Sequence, residues 1–163
     1  MTTKVKDALV RAPIIYRAAA VLLLLFAIGH TLGFRDSDPT WGIGPVLAAM
    51  QSTHFSIQGF TRTYWDFFVG AGFTVGVLYL FAAVLAWQLG GLPRETLALM
   101  RATAWGFACC FAVVTALSVR HLFWIPIIMS ALITVCLGAA AWSSSRFAAP
   151  ATLPKGSSHR GAS

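Results

Sequence analysis

Two ionisable side chains stand inside apolar segments of the chain. His30 lies in FAIGHTLGF, and Asp66 lies near the start of YWDFFVGAGF. A carboxylate costs about 2.5–3.5 kcal/mol at the centre of a membrane span and less near its boundary. A histidine oriented by a carboxylate can act as an acid or base, and a His30–Asp66 pair across two helices would explain both residues at once.

Other polar and aromatic residues are predicted to lie at the same depth in the membrane as His30 and Asp66. Asp66 shares a helical face with Gly70, and the small residues Gly72-x-x-x-Gly76 follow, so we expect Asp66 to face other helices. Glycines beside His30 would let a partner backbone or a ligand reach the ring. The candidate ligand-binding residues are His30, Gly33, Tyr64, Trp65, Asp66, Arg120 and His121, with His30 and Asp66 as the catalytic candidates.

A purely structural interpretation of these residues stays open. An aspartate in the first turn of a helix is stabilised by free N–H groups and the helix dipole. A histidine near a membrane boundary can donate to a backbone carbonyl. The histidines His30, His54 and His121 lie on separate segments without a local pair of ligands, so we predict no metal site, and the sequence names no cofactor.

The composition places these residues in a membrane protein. Of the 163 residues, 58% are apolar and 10% are charged, and the mean hydropathy is +0.75. Soluble domains are about 25% charged. The net charge of +7 comes from basic residues at the ends of apolar runs, not in a patch, which predicts no nucleic-acid partner.

Four apolar runs are long enough to span a bilayer, since about 20 residues suffice. They predict an all-α, four-helix transmembrane bundle in one membrane domain, residues 1–142, followed by a disordered cytoplasmic tail at 143–163. The long outer loop, 35–63, exceeds the usual 2–8 residues and should be a lid or a binding element. We expect a short helix in it from Pro45, with Val46, Leu47, Met50 and Phe55 on its apolar face. The predicted spans are about 14–34, 64–88, 97–119 and 122–142.

The distribution of basic residues predicts the orientation. Nine of the twelve lysines and arginines flank the end of the spans that carries the chain termini. Because basic residues are enriched in cytoplasmic segments, both termini are predicted to be cytoplasmic. The three on the other side are Arg35, Arg62 and Arg120.

Short motifs carry a resemblance to a known group. At GHTLG, MQSTHF and YWDFFVGAGF the chain resembles an uncharacterised family of small bacterial four-span membrane proteins, and in outline it is similar to the broader DoxX-like group. The resemblance implies the four-helix fold and the bacterial inner membrane and implies no particular activity. A remoter likeness is to membrane-embedded sterol isomerases of the emopamil-binding type, but this chain lacks their paired carboxylates within the spans. The matching residues are His30, Gly33, Met50, Tyr64, Trp65, Asp66 and Gly70.

Three functions are compatible with the sequence. The leading hypothesis is a binding protein that holds a membrane lipid, a quinone or another small apolar molecule at the outer polar cluster. The first alternative is a small membrane enzyme that uses His30 and Asp66 as an acid/base pair. The second is a scaffold subunit of a membrane complex, and a homo-oligomer also stays open.

Overall fold

The structure is a computed structural model that describes residues 3–145 and, apart from residues 3–11 and 94, their side chains. It is an all-α bundle with a small β-hairpin in its long loop. Residues 146–163 of the predicted tail, 143–163, lie outside the described residues. The elements are α1 (Thr3–Gly33), a 3-10 turn (Pro39–Trp41), α2 (Gly44–Ser52), β1 (His54–Ile57), β2 (Phe60–Thr63), α3 (Tyr64–Leu89), α4 (Arg94–Leu99), α5 (Arg101–His121) and α6 (Trp124–Ser145).

The predicted four-helix bundle is confirmed. Helices α1, α3, α5 and α6 each contain a stretch long and apolar enough to cross a membrane, which in α1 is Ala12–Gly33. Helix α1 packs between α3 and α6, and α6 packs in turn against α5. Only Leu122 and Phe123 separate α5 from α6, which gives a tight antiparallel hairpin. The four apolar helices fit an integral membrane protein.

The helix ends differ from the predicted spans at three places. Helix α1 begins at Thr3, so the basic segment before the first span is helical as well. The third apolar run divides at Met100 into α4 and α5. Helix α6 continues through Ser145, so residues 143–145, which the sequence assigns to the tail, are helical.

The long loop contains one predicted and one unpredicted element. Helix α2 is confirmed, but it ends at Ser52, and Phe55 lies in β1 instead of on its apolar face. Gln58 and Gly59 have φ angles of 51° and 84°, which is the backbone of the two-residue turn that matches strand twist. This turn pairs β1 with β2, from Ile57 opposite Phe60 to His54 opposite Thr63.

A short turn precedes α2. Asp38 caps the 3-10 turn by accepting from the backbone N–H and the hydroxyl of Thr40, at 2.8 and 2.7 Å. These hydrogen bonds stabilise the charged carboxylate, so they hold the pKa of Asp38 below its usual value.

The buried core occupies the half of the bundle nearest the chain termini, which we call the terminal half. Among the described residues, eleven of the nineteen buried apolar side chains are alanine, and they come from all four long helices. In a membrane, the hydrophobic effect does not drive helices together, because the lipid is as apolar as their side chains. Small side chains stabilise the bundle instead by letting the helices approach closely. No residue from 28 to 75 is buried. We call the other half, which carries the long loop, the loop half; it consists of residues 28–33, 64–75, 112–121 and 124–132.

Candidate functional site around His30

His30 is half-buried in the loop half, on the face of α1 that holds the buried residues Leu23 and Ala27. Its Nε2 atom lies 3.0 Å from the carbonyl oxygen of Gly72 on α3. A carbonyl oxygen only accepts hydrogen bonds, so Nε2 carries the proton and donates it. The hydrogen bond therefore fixes both the ring orientation and the tautomer.

The other ring nitrogen of His30 is left as an acceptor. In the neutral ring with a proton on Nε2, Nδ1 carries a lone pair. Within the described residues, no hydrogen bond is made to this nitrogen. A hydroxyl or N–H group of a bound molecule could donate to Nδ1 without disturbing the bond to Gly72.

Aromatic rings surround His30 and connect it to both halves of the bundle. The Phe34 ring stacks on the imidazole with centroids 5.4 Å apart and planes 18° apart, and the Tyr79 ring lies 6.4 Å away. Toward the loop, Phe34 contacts Phe68 at 5.8 Å, and Phe68 contacts Trp65 at 5.6 Å. Toward the termini, Tyr79 contacts Phe111 of α5 at 5.9 Å and Phe26 at 4.6 Å. We call this set the aromatic row: Trp65, Phe68, Phe34, His30, Tyr79 and Phe111.

Glycines on α3 permit this arrangement. A Cβ at Gly72 would overlap the Phe34 ring, and a Cβ at Gly76 would lie 2.5 Å from the Thr31 hydroxyl. The predicted close approach at Gly72-x-x-x-Gly76 is therefore confirmed. Gly29 and Gly33 have open space around them, so the glycines beside His30 are not the ones that admit a neighbouring helix.

Asp66 has a different role from the one predicted. It is exposed and does not face the bundle. Its carboxylate accepts from the backbone N–H of Thr63 at 2.9 Å, while the Thr63 hydroxyl accepts from the backbone N–H of Asp66 at 3.1 Å. This reciprocal pair is a capping box that starts α3. His30 and Asp66 thus have separate partners, and no described hydrogen bond joins them, so the expected pair is not formed.

The remaining candidate side chains lie on two different helices: Tyr64 and Trp65 on α3, and Arg120 and His121 on α5. Trp65 joins His30 through the aromatic row, whereas the exposed Tyr64 contacts Phe55 of the hairpin at 5.1 Å. Arg120 and His121 are exposed at the end of α5. No hydrogen bond or ring contact of the described residues connects these two with His30, Trp65 or Asp66.

Arg35 lies beside the aromatic row at Phe34. Its guanidinium carbon lies 5.7 Å from the Phe34 ring centroid and 5.3 Å from the Phe73 ring centroid. A cation over aromatic faces is attracted by their negative quadrupoles. This arrangement puts a positive charge next to the ring that stacks on His30.

The residues of the aromatic row that sequence reasoning missed are Phe34, Phe68, Tyr79 and Phe111. Phe34 follows His30 by four residues, which on a helix puts the two rings side by side. Tyr79 follows Gly72 by seven residues, nearly two turns along the same face of α3. These spacings are local signals, but which helix would meet which could not be read from them. Among the described residues, no group of three histidine, cysteine or acidic side chains could hold a metal ion.

No protein-family model, curated protein or solved structure matches this chain. The resemblance to small four-span bacterial proteins therefore stays a prediction.

Proposed function

We propose that this protein is a membrane-embedded binding protein for a small apolar molecule with a hydrogen-bond donor, such as a lipid or a quinol. His30 is its recognition residue. The observation that carries the proposal is the fixed tautomer of His30: donation to Gly72 O presents Nδ1 as an acceptor within the aromatic row. Binding sites for such molecules combine apolar walls with a few placed polar groups.

The packing around His30 supports the same interpretation. Phe34 and Tyr79 surround His30 with apolar rings. The loop half lacks the alanine packing of the terminal half, so its helices enclose their interior less completely. The long loop with α2 and the hairpin lies at the same end and contacts the start of α3.

We also propose that the protein lies in a bacterial inner membrane with both termini in the cytoplasm. The excess of basic residues at the terminal end supports this orientation. The binding site would then open toward the outer leaflet, under the loop. The resemblance of GHTLG and YWDFF to the small four-span family supports the same placement.

The test compares wild type with two histidine variants purified in mild detergent. Glutamine can carry an amide to the position of Nε2, so His30→Gln keeps a donor for Gly72 O and removes the Nδ1 acceptor. His121→Gln removes an exposed histidine of the same half and serves as the control. We expect mass spectrometry to find one apolar species retained by wild type and His121→Gln, with occupancy about 2- to 10-fold lower in His30→Gln.

Two results would overturn the proposal. One is the same bulk membrane lipid in all three proteins, with all three equally well folded by circular dichroism. The other is equal loss of the species from both variants. Either result would favour the interpretation of His30 as a structural contact between α1 and α3.

A further inference from the structure

A groove runs along α1 and α3 on a side of the bundle that the aromatic row does not use. It consists of two adjoining cavities of about 370 and 310 Å³ that share Leu24 and Leu80. It extends from Phe73 near the loop end to Trp87 near the terminal end. At 1.5 Å per residue these two positions are about 21 Å apart along α3. This exceeds half of the roughly 30 Å hydrocarbon core, so one acyl chain fits the groove lengthwise.

The terminal end of the groove carries a positive charge. Arg17 precedes the groove residue Leu24 by seven residues and so lies within about 20° of it around α1. Its guanidinium carbon lies 5.4 Å from the Trp87 ring centroid. Its side-chain stem passes the terminal end of α3, where a Cβ at Gly90 would lie 3.2 Å from Arg17 Cγ. The cation is therefore held at the mouth of the groove.

The hydrogen-bond donors at this mouth are free in the part of the chain that the structure describes. Arg17 is exposed, and among the described residues it has no acidic partner and interacts only with the Trp87 ring. Trp87 is 55% exposed, and its indole N–H has no acceptor among the described groups. By contrast, the indole N–H of Trp105, on α5 at the same end, donates to Ser145 at 3.1 Å. A guanidinium beside an indole N–H suits a phosphate, which accepts from both.

We infer that this groove binds one anionic phospholipid, with its phosphate at Arg17 and Trp87 and an acyl chain between α1 and α3. The charge decides between the possible occupants. A second copy of the chain placed symmetrically on the groove would bring two Arg17 side chains together, and like charges in one interface are unfavourable. A zwitterionic lipid fits less well, because the cation of its own headgroup offsets the charge of its phosphate.

This lipid site is distinct from the proposed binding site at His30. Arg17 and His30 are thirteen residues apart, which separates them by about 140° around α1. The variants Arg17→Gln and His30→Gln therefore test the two sites separately, and either site can be lost while the other stays intact.

The experiment is native mass spectrometry of the detergent-solubilised full chain, titrated with phosphatidylglycerol or with phosphatidylcholine that has the same acyl chains. The variant Arg17→Gln removes the cation. Arg101→Gln removes an exposed arginine at the same end of the bundle and is the matched control. Val84→Trp fills the groove from an exposed lining position and leaves Arg17 in place.

We expect wild type and Arg101→Gln to bind phosphatidylglycerol about tenfold more tightly than phosphatidylcholine, as a charge-assisted hydrogen bond allows. Arg17→Gln should lose this preference, and Val84→Trp should weaken the binding of both lipids. Three results would overturn the inference: an unchanged preference in Arg17→Gln, an equal loss in Arg101→Gln, or unweakened binding in Val84→Trp. Circular dichroism confirms that each variant is folded before the comparison.

Discussion

In the terminal half of the bundle, alanines from four helices meet, whereas in the loop half aromatic rings and polar side chains take their place. The buried apolar residues of α1 end at Ala27, and those of α3 begin only at Ala82. Beyond them lie the His30–Gly72 hydrogen bond, the rings of the aromatic row other than the buried Phe111, and the buried hydroxyls of Ser118 and Ser130. Small residues hold helices together by close approach. The loop half relies on directional contacts, which leave acceptors such as His30 Nδ1 available.

The largest expected effect tests the terminal half. Leu137 on α6 is 0% exposed, whereas Leu132 on the same helix is 47% exposed. Leu137→Ala should leave a cavity in the buried core and lower the free energy of unfolding by about 2–5 kcal/mol. Leu132→Ala should change it by about 0.5 kcal/mol or less. Equal losses in the unfolding midpoints of the two variants in a detergent titration would contradict the division between the halves.

This division explains which parts of the fold could be predicted from the sequence. The four spans, the helix in the loop and the α5–α6 hairpin follow from run length, polar punctuation and Pro126 in the first turn of α6. These signals are local. The hairpin at residues 54–63 also has a local signal, since Gly59 takes a φ of 84° between two β-prone segments, but glutamine at the first turn position is an uncommon partner for it.

The candidate site could be predicted only in part. His30 and the close approach at Gly72 are marked by their residue types within apolar runs. The partner of His30 could not be predicted, because it is a backbone carbonyl, which every residue possesses. The sequence correctly predicts Asp66 near the start of a helix but on the wrong side of α3, since its capping bond with Thr63 directs the carboxylate back to the start of the helix.

A second prediction tests the close approach within the loop half. Gly72→Ala places a methyl group against the Phe34 ring, which must move and disturb the stack on His30. We expect a loss of about 1–3 kcal/mol, typical of overpacking. Gly70→Ala is the control, because a Cβ there meets nothing, and it should be neutral or stabilising by up to about 1 kcal/mol.

The double variant sharpens this test. Replacing Phe34 by leucine in the Gly72→Ala protein removes the ring that collides with the new methyl group. Stability should recover in part, although the ring contacts with Phe68 and Phe73 are lost. No recovery would mean that Gly72 matters for the backbone of α3 and not for the Phe34 contact.

The smallest expected effect comes from a variant at the start of α3, which tests whether Asp66 only caps the helix or also contributes to ligand binding. Thr63→Ala removes one half of the capping box and should cost about 0.5–2 kcal/mol. Because the cap acts on the first turn, hydrogen exchange should accelerate at the amides of that turn and not at Tyr79.

Thr74→Ala is the control, since the Thr74 hydroxyl is exposed and donates only to the carbonyl of Gly70 in its own helix, at 2.8 Å. If Thr63→Ala frays the turn and leaves ligand retention at His30 unchanged, Asp66 is structural and the binding site begins at the aromatic row. If retention falls as well, the capped turn positions Trp65, and the site extends to the loop end of α3.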